Sequence, residues 1–459
     1  LSLAMYACSV WCLIVALLLL AAPPAGLATD GVLLDDLLEG FDDEKPGSTP
    51  VPPPEQVSEP SHWHLAGAAS LRFAFNTAHA APVAGQVDHR NLSSARGKLS
   101  LQLAGQFSRR WRARVEGYTF YDAAYDRAAR NYPEVLVDAM RAETEFGEAY
   151  LAGSLGPVDL KLGRQVLAWG KADTLSVVDL VSPLDLREPG MADIDDLRLP
   201  LTMARLDYYP DRTWRISALA IPEIRVNEFP AYGSDFYPFP MPLIDEVPDH
   251  GGGNSEWAAA VEGTFSGWDL GFYWADLVDN MPYPVLTLQG QNLLPTSLAH
   301  ARIQLAGVAV DFASGNWLLK GELAQVRGAR QTSQLASDRR HLVGVIEYSG
   351  VADVVMALEL AWQSLLDYSV RHGQAGYDKD SWQSVIRLSL DQLHDTLHWA
   401  VLYSGYGGSG GFTRGQVQYD IADAFTLSGG VVLYRGGDSL MTRGIGDNDR
   451  VFLQARYSF

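Results

Sequence analysis

Two short stretches carry the residue types of an ester hydrolase. HGGG at 250–253 has the composition of an oxyanion-hole loop, and GGSGG at 407–411 matches the G-x-S-x-G spacing around Ser409. Such a serine works only on a tight strand-to-helix turn, with a histidine placed to take its proton. No helical pattern follows either stretch, and His341 and His398 have no evident serine partner. Both stretches read as glycine-rich loops, and no catalytic residue is expected. His62 and His64 stand two apart without further ligands, so neither a metal site nor a cofactor is expected.

The other concentration of chemistry is electrostatic. Residues 168–200, AWGKADTLSVVDLVSPLDLREPGMADIDDLRLP, contain Asp173, Asp179, Asp185, Arg187, Glu188, Asp193 and Asp195. Acidic residues favour water, yet TLSVVDLV within the same stretch is too apolar to remain there. The segment is expected to fold inward, or over a mouth, between residues 169 and 198. Its carboxylates would then face cations, and Arg96, Lys98, Arg112, Arg114 and Arg456 are the candidates for that opposite side. Opposed charges across a constriction make a transverse field that sorts solutes by charge and dipole.

The elements that must position these charges are legible in the alternation. From residue 63 to 459, eighteen segments alternate apolar and polar residues, among them SLRFAF, KLSLQLAGQF and RVFLQARYSF. Short turns (LGP, YPDR, ASGN, SGVA) alternate with long loops rich in Pro, Gly, Asp and Asn. That asymmetry predicts an all-β, transmembrane, antiparallel up-and-down barrel of about eighteen strands, with sixteen as the fallback. Val451, Leu453 and Phe459 would face lipid, and Arg456 the lumen. Arg164 breaks the pattern, because it shares parity with Leu160 and Leu162; a β-bulge or an interfacial position would explain it. A barrel of this size leaves room for a water-filled lumen, so passive passage of small hydrophilic or amphiphilic solutes is the expected function.

Composition limits the alternatives. The 459 residues carry a formal net charge of −20, which disfavours nucleic acid as a partner. Residues 1–28 read as a signal peptide, although no Lys or Arg precedes the apolar run. Cys8 and Cys12 both lie within it, so its removal would leave no thiol for disulfides or metal. Residues 29–62 are acidic and then proline-rich. Leu33, Leu34, Leu37, Leu38 and Phe41 could form an amphipathic stripe for a periplasmic partner, although a solvated tail is the simpler reading. With such a partner, the barrel would instead be a plugged conduit in a larger export, uptake or electron-transfer complex. Whether copies of the chain form a homo-oligomer is left open.

Three resemblances sharpen the reading. Phe459 resembles the terminal aromatic of outer-membrane barrels, which implies recognition by the barrel-assembly machinery of a Gram-negative cell and outer-membrane lipid as surroundings. The acidic loop after the fifth strand is similar to the inward loop of general porins, whose carboxylates face arginines on the wall. The run LGRQVLAWGKADTLSVVDLVSPLDLRE resembles a motif of a poorly characterised outer-membrane family catalogued as a domain of unknown function (DUF1302-like). Arg164, Gln165, Trp169, Gly170, Asp173, Asp179, Pro183, Asp185 and Arg187 are the matching positions. That resemblance implies the architecture and leaves the solute open.

Overall fold

The computed structural model describes residues 62–459 apart from 193, 409, 440 and 441; for residues 62, 194, 195 and 252 only the backbone is described. The leader, the tail up to residue 61, Asp193 and Ser409 therefore lie outside the described residues.

Eighteen antiparallel strands form one closed barrel. They are β1 (His62–Asn76), β2 (Asn91–Ser108), β3 (Trp111–Asp122), β4 (Ala142–Leu155), β5 (Val158–Gln165) and β6 (Leu201–Tyr208). The next six are β7 (Trp214–Ile221), β8 (Glu256–Phe265), β9 (Trp268–Val278), β10 (Arg302–Ser314), β11 (Trp317–Arg327) and β12 (Arg339–Val351). The last are β13 (Val354–Leu365), β14 (Asp380–Gln392), β15 (Leu397–Gly405), β16 (Gly411–Ala422), β17 (Phe425–Arg435) and β18 (Arg450–Ser458). Each pairs with its sequence neighbours, and β1 closes on β18 from Ala68↔Ser458 to Asn76↔Arg450. Phe459 extends the seam: its N–H donates to Gly67 O at 2.9 Å, and Gly67 N–H donates to Phe459 O at 2.8 Å. Closure leaves no free strand at either end of the sheet, which is what lipid requires of a spanning β-structure.

The period of two sorts the side chains. Trp63, Leu65, Phe73 and Phe75 of β1, with Val451 and Leu453 of β18, are exposed on the outer face. Ser70 and Arg72 point inward and stand in register with Lys98 and Arg96 on one side and with Arg456 and Gln454 on the other.

The interior is not uniform. Along β6–β13 the inward positions are small or apolar, including Leu201, Met203, Ile221, Ala258, Leu277, Ile303, Leu305, Ala324, Val326 and Val343. They form one cluster with Leu167, Trp169, Leu175, Val178 and Val181, which belong to the segment between β5 and β6. An apolar inner wall in an aqueous lumen would be unfavourable. Burying it under that segment recovers about 1.5–3 kcal/mol per large aliphatic side chain.

One part of the wall is incomplete. β5, β6 and β7 have eight residues each. The β4–β5 ladder runs only from Leu155↔Val158 to Ala149↔Arg164, so the other half of β4, Ala142 to Glu148, has no partner on its β5 side. Within that half a register shift against β3 falls between Val115 and Gly117.

Candidate functional site

The inward segment 166–200 is held from both sides of the lumen. On the apolar side, two wall carboxylates take its backbone. Glu322 of β11 accepts from Lys171 N (2.6 Å), Ala172 N (2.8 Å), Val177 N (2.8 Å) and the Ser176 hydroxyl (2.9 Å). Glu359 of β13 accepts from Thr174 N (3.1 Å) and Leu175 N (2.8 Å). A segment without a ladder must find partners for its N–H groups elsewhere, and two buried carboxylates supply them. Ion pairs flank these contacts: Lys171 with Asp269 (2.8 Å) and Asp311 (3.2 Å), and Asp173 with Lys320 (2.8 Å) and Arg387 (2.9 Å).

The second arm, 182–199, reaches the opposite wall. Arg187 binds Asp185 through both oxygens (2.9 and 2.7 Å) and Glu143 of β4 (2.6 Å). Glu188 meets Arg72 (2.7 Å), Arg96 (3.3 Å) and Arg450 (3.6 Å), on β1, β2 and β18. Burial opposes ionisation of Glu188, but the three guanidiniums outweigh it and hold its carboxyl at about 2. Asp179 is the reverse case. Burial outweighs its partner Arg198 (3.1 Å) and lifts the carboxyl to about 6.

The motif residues turn out to build the anchor. Gln165 is buried and its amide donates to Met203 O (3.2 Å), fastening the end of β5. Gly163 takes a φ of +123°, open to glycine at little cost. Arg164 shares the lipid-facing parity, yet its side chain caps the top of β5: it donates to Phe146 O (3.1 Å) and Glu223 (2.6 Å), and pairs with Glu145. These pairings at the end of β5, beside a shifted register between β3 and β4, hold a charged side chain at an outward position. Trp169 is buried against Tyr273, ring centroids 5.4 Å apart. Gly170 has a φ of +85° and lies so close to Glu322, Ser176 and Val178 that a Cβ would overlap all three. Pro183 O accepts from Leu199 N (2.8 Å), closing the base of the second arm.

The charged residues expected to face one another meet only in part. Glu188 and Arg96 are in contact, buried in a clamp rather than across an opening. Asp173, Asp179 and Asp185 are taken up by Lys320 and Arg387, by Arg198, and by Arg187. Asp195 lies in a short helix, Ile194–Leu197, its side chain among those not described. On the basic side, Arg114 bonds Gln102 (2.9 Å) and Glu116 (3.0 Å). Lys98, Arg112 and Arg456 differ: all three point inward, are exposed, and make no ion pair among the described residues.

Several important residues escape the sequence reading. Arg450 shares the inward parity of Arg456, so alternation alone could have found it. Glu359 stands in an alternating MALELAW and was open to the same inference. Asp235 carries no sequence signal; it sits in the long loop between β7 and β8, where Arg450 (2.6 Å) and Asn76 (2.9 Å) bind it. The aromatics of that loop pack on one another and on the wall: Tyr232 on Tyr237, Tyr237 on Phe239, and Phe236 on Tyr434. His250 of the HGGG stretch accepts from Ile224 N at 3.1 Å, a structural role.

The family model described as "Protein of unknown function (DUF1302)" matches residues 84–459. The chain belongs to that family. No curated protein matches its sequence. Among solved structures, the barrel is similar to OccAB3 of Acinetobacter baumannii, with 12% identity, covering 86% of this chain and 99% of that chain, at a TM-score of 0.55. OccK2 (OpdF) of Pseudomonas aeruginosa, in complex with glucuronate, is 13% identical over 86% of this chain and 98% of that chain, TM-score 0.51. OpdK of Pseudomonas aeruginosa, solved with vanillate, is 12% identical over 86% and 98%, TM-score 0.50. At such identities the likeness is one of fold, and that fold is the eighteen-strand outer-membrane porin barrel. It points to an outer membrane as the location of this family member.

Proposed function

We propose that the chain is a passive outer-membrane channel of a Gram-negative cell, with an off-centre passage for small solutes. One observation carries this reading. Lys98, Arg112 and Arg456 are inward-pointing and exposed at once, so open space adjoins them, along the wall of β1–β3 and β18. The opposite wall is covered by the first arm of the inward segment, residues 167–181, while the second arm reaches β1, β2 and β18 through Glu188. The Arg112 and Arg456 guanidiniums, with the Lys98 ammonium held over the Tyr118 ring at 4.4 Å, favour anions beside a low-dielectric wall. Two structural relatives were solved with glucuronate and vanillate, both carboxylates, and small hydrophilic or amphiphilic carboxylates suit the same lining. The inward segment then acts as a fixed lining, with Asp173, Asp179, Asp185 and Glu188 neutralised by their anchors, and the selectivity rests with the wall.

Single-channel recording under a salt gradient tests this. Open steps with an anion-selective reversal potential are expected, shifting toward cations when Lys98, Arg112 and Arg456 all become Gln. A second reading is favoured by the span of the inward segment, which touches β9–β14 through one arm and β1, β2, β4 and β18 through the other. A barrel silent until residues 169–198 are deleted would identify a plugged conduit. The acidic tail would then be the place to seek a periplasmic partner.

A further inference from the structure

Where β4 loses its strand partner, side chains close the wall instead. Arg164, Arg187 and Arg225 arrive from three different segments and bind Glu143 and Glu145 on that half of β4. Glu228 bridges two of them, 2.7 Å from Arg225 and 3.3 Å from Arg187. A seam of ion pairs has no backbone ladder and can admit a molecule that a paired strand would exclude. Beside it lies a cleft of about 490 Å³, bounded by the top of β4, the helix Glu134–Met140 and the loop between β7 and β8. That volume is within the range of small-molecule sites.

The lining has two characters. Ala139, Ala142, Ile224, Val226, Phe229 and Val247 give an apolar wall. Four carboxylates, Asp138, Glu143, Glu228 and Asp245, stand against two guanidiniums, Arg187 and Arg225. The guanidiniums are engaged by the seam, and so are Glu143 and Glu228, which leaves Asp138 and Asp245 as the surplus. Asp138 is exposed and has no ion-pair partner among the described residues, while Asp245 shares one oxygen with His300 at 3.0 Å. An apolar body fits the wall, and the surplus of carboxylates calls for a positive head. We propose that this cleft is a binding site for a small amphiphilic cation, entered beside the unpaired half of β4. Its charge preference is opposite in sign to that of the passage along β1–β3.

The test uses the protein in lipid nanodiscs with two fluorescent probes, dansylcadaverine as the amphiphilic cation and dansylated aminohexanoate as its anionic counterpart. Saturable binding of dansylcadaverine is expected, with the anionic probe at least about tenfold weaker. Val247→Arg, at an exposed position, should weaken the cation by about tenfold or more, and Asp138→Asn should weaken it several-fold. Unchanged single-channel conductance in both variants shows that the barrel is intact. Absence of saturable binding, equal binding of the two probes, or indifference to Val247→Arg would each overturn the proposal. The channel reading stands or falls on conductance, so the two failures are distinguishable.

Discussion

Arg450 Nη2 donates to Asp235 Oδ2 at 2.6 Å, joining the last strand of the barrel to the loop between β7 and β8. The same guanidinium faces Glu188 of the inward segment and stacks on Phe236, 4.6 Å from its ring centroid. One wall residue, 2% exposed as a side chain, thus holds two loops. Removing one partner of a buried pair costs about 3–5 kcal/mol, because the others remain buried and uncompensated. Arg450→Met should therefore loosen both loops together, seen as protease cleavage within 182–199 and within 223–254. Cleavage confined to one of the two would contradict a shared latch.

Glu322 is the counterpart on the far wall. Hydrogen bonds to a charged acceptor contribute about 1.5–3 kcal/mol each, and Glu322 accepts from three backbone N–H groups and one hydroxyl. Glu322→Ala should free the first arm and enlarge single-channel conductance, whereas Glu347→Ala, on the neighbouring β12, should leave conductance nearly unchanged.

Gly170 offers a backbone test of the same anchor. A side chain there meets both a positive φ and occupied space, costing about 1–3 kcal/mol. Gly170→Ala is expected to raise the opening rate of residues 170–178 in amide hydrogen exchange while leaving the barrel strands protected.

Two carboxyls give the inward segment opposite responses to pH. Asp179 titrates near 6 when folded against 3.8 when released, so its contribution is present below pH 4 and lost as pH rises through 6. Glu188 titrates near 2 against 4.5, so its contribution is present above pH 4.5 and lost as pH falls toward 2. Local opening, followed by proteolysis with an acid-active protease, should lose its dependence below pH 4.5 in Glu188→Gln and between pH 4 and 6 in Asp179→Asn.

Phe459 closes the seam through a reciprocal hydrogen-bonded pair with Gly67 and rests its ring on that glycine. Phe459→Ala keeps the backbone pair and removes the ring. Slower refolding into lipid vesicles is expected, read from the heat-modifiable shift on gels; a wild-type rate would show that the ring does not contribute to closure.

The sequence by itself determined the barrel. Successive side chains of a strand point to opposite faces, one of them toward lipid, so a single chain displays eighteen strands, their faces, and the inward direction of Lys98, Arg112 and Arg456. It also determined that TLSVVDLV could not stay in water. Only the tertiary structure decided what covers that stretch, because its partners lie on wall strands remote in sequence: Leu305 and Ala324 in the same buried cluster as Val178, and Glu322 and Glu359 at its N–H groups. For the same reason Asp173, Asp179, Asp185 and Glu188 look like a filter in sequence and stand in space as anchors. Charge can be read from one residue, whereas its neutralisation depends on which wall strand the fold places opposite. Arg164 shows the limit of parity itself, since the rule fails where β4 loses its partner and β5 ends, and where a ladder stops depends on the partner strand as well as on the residues of one strand.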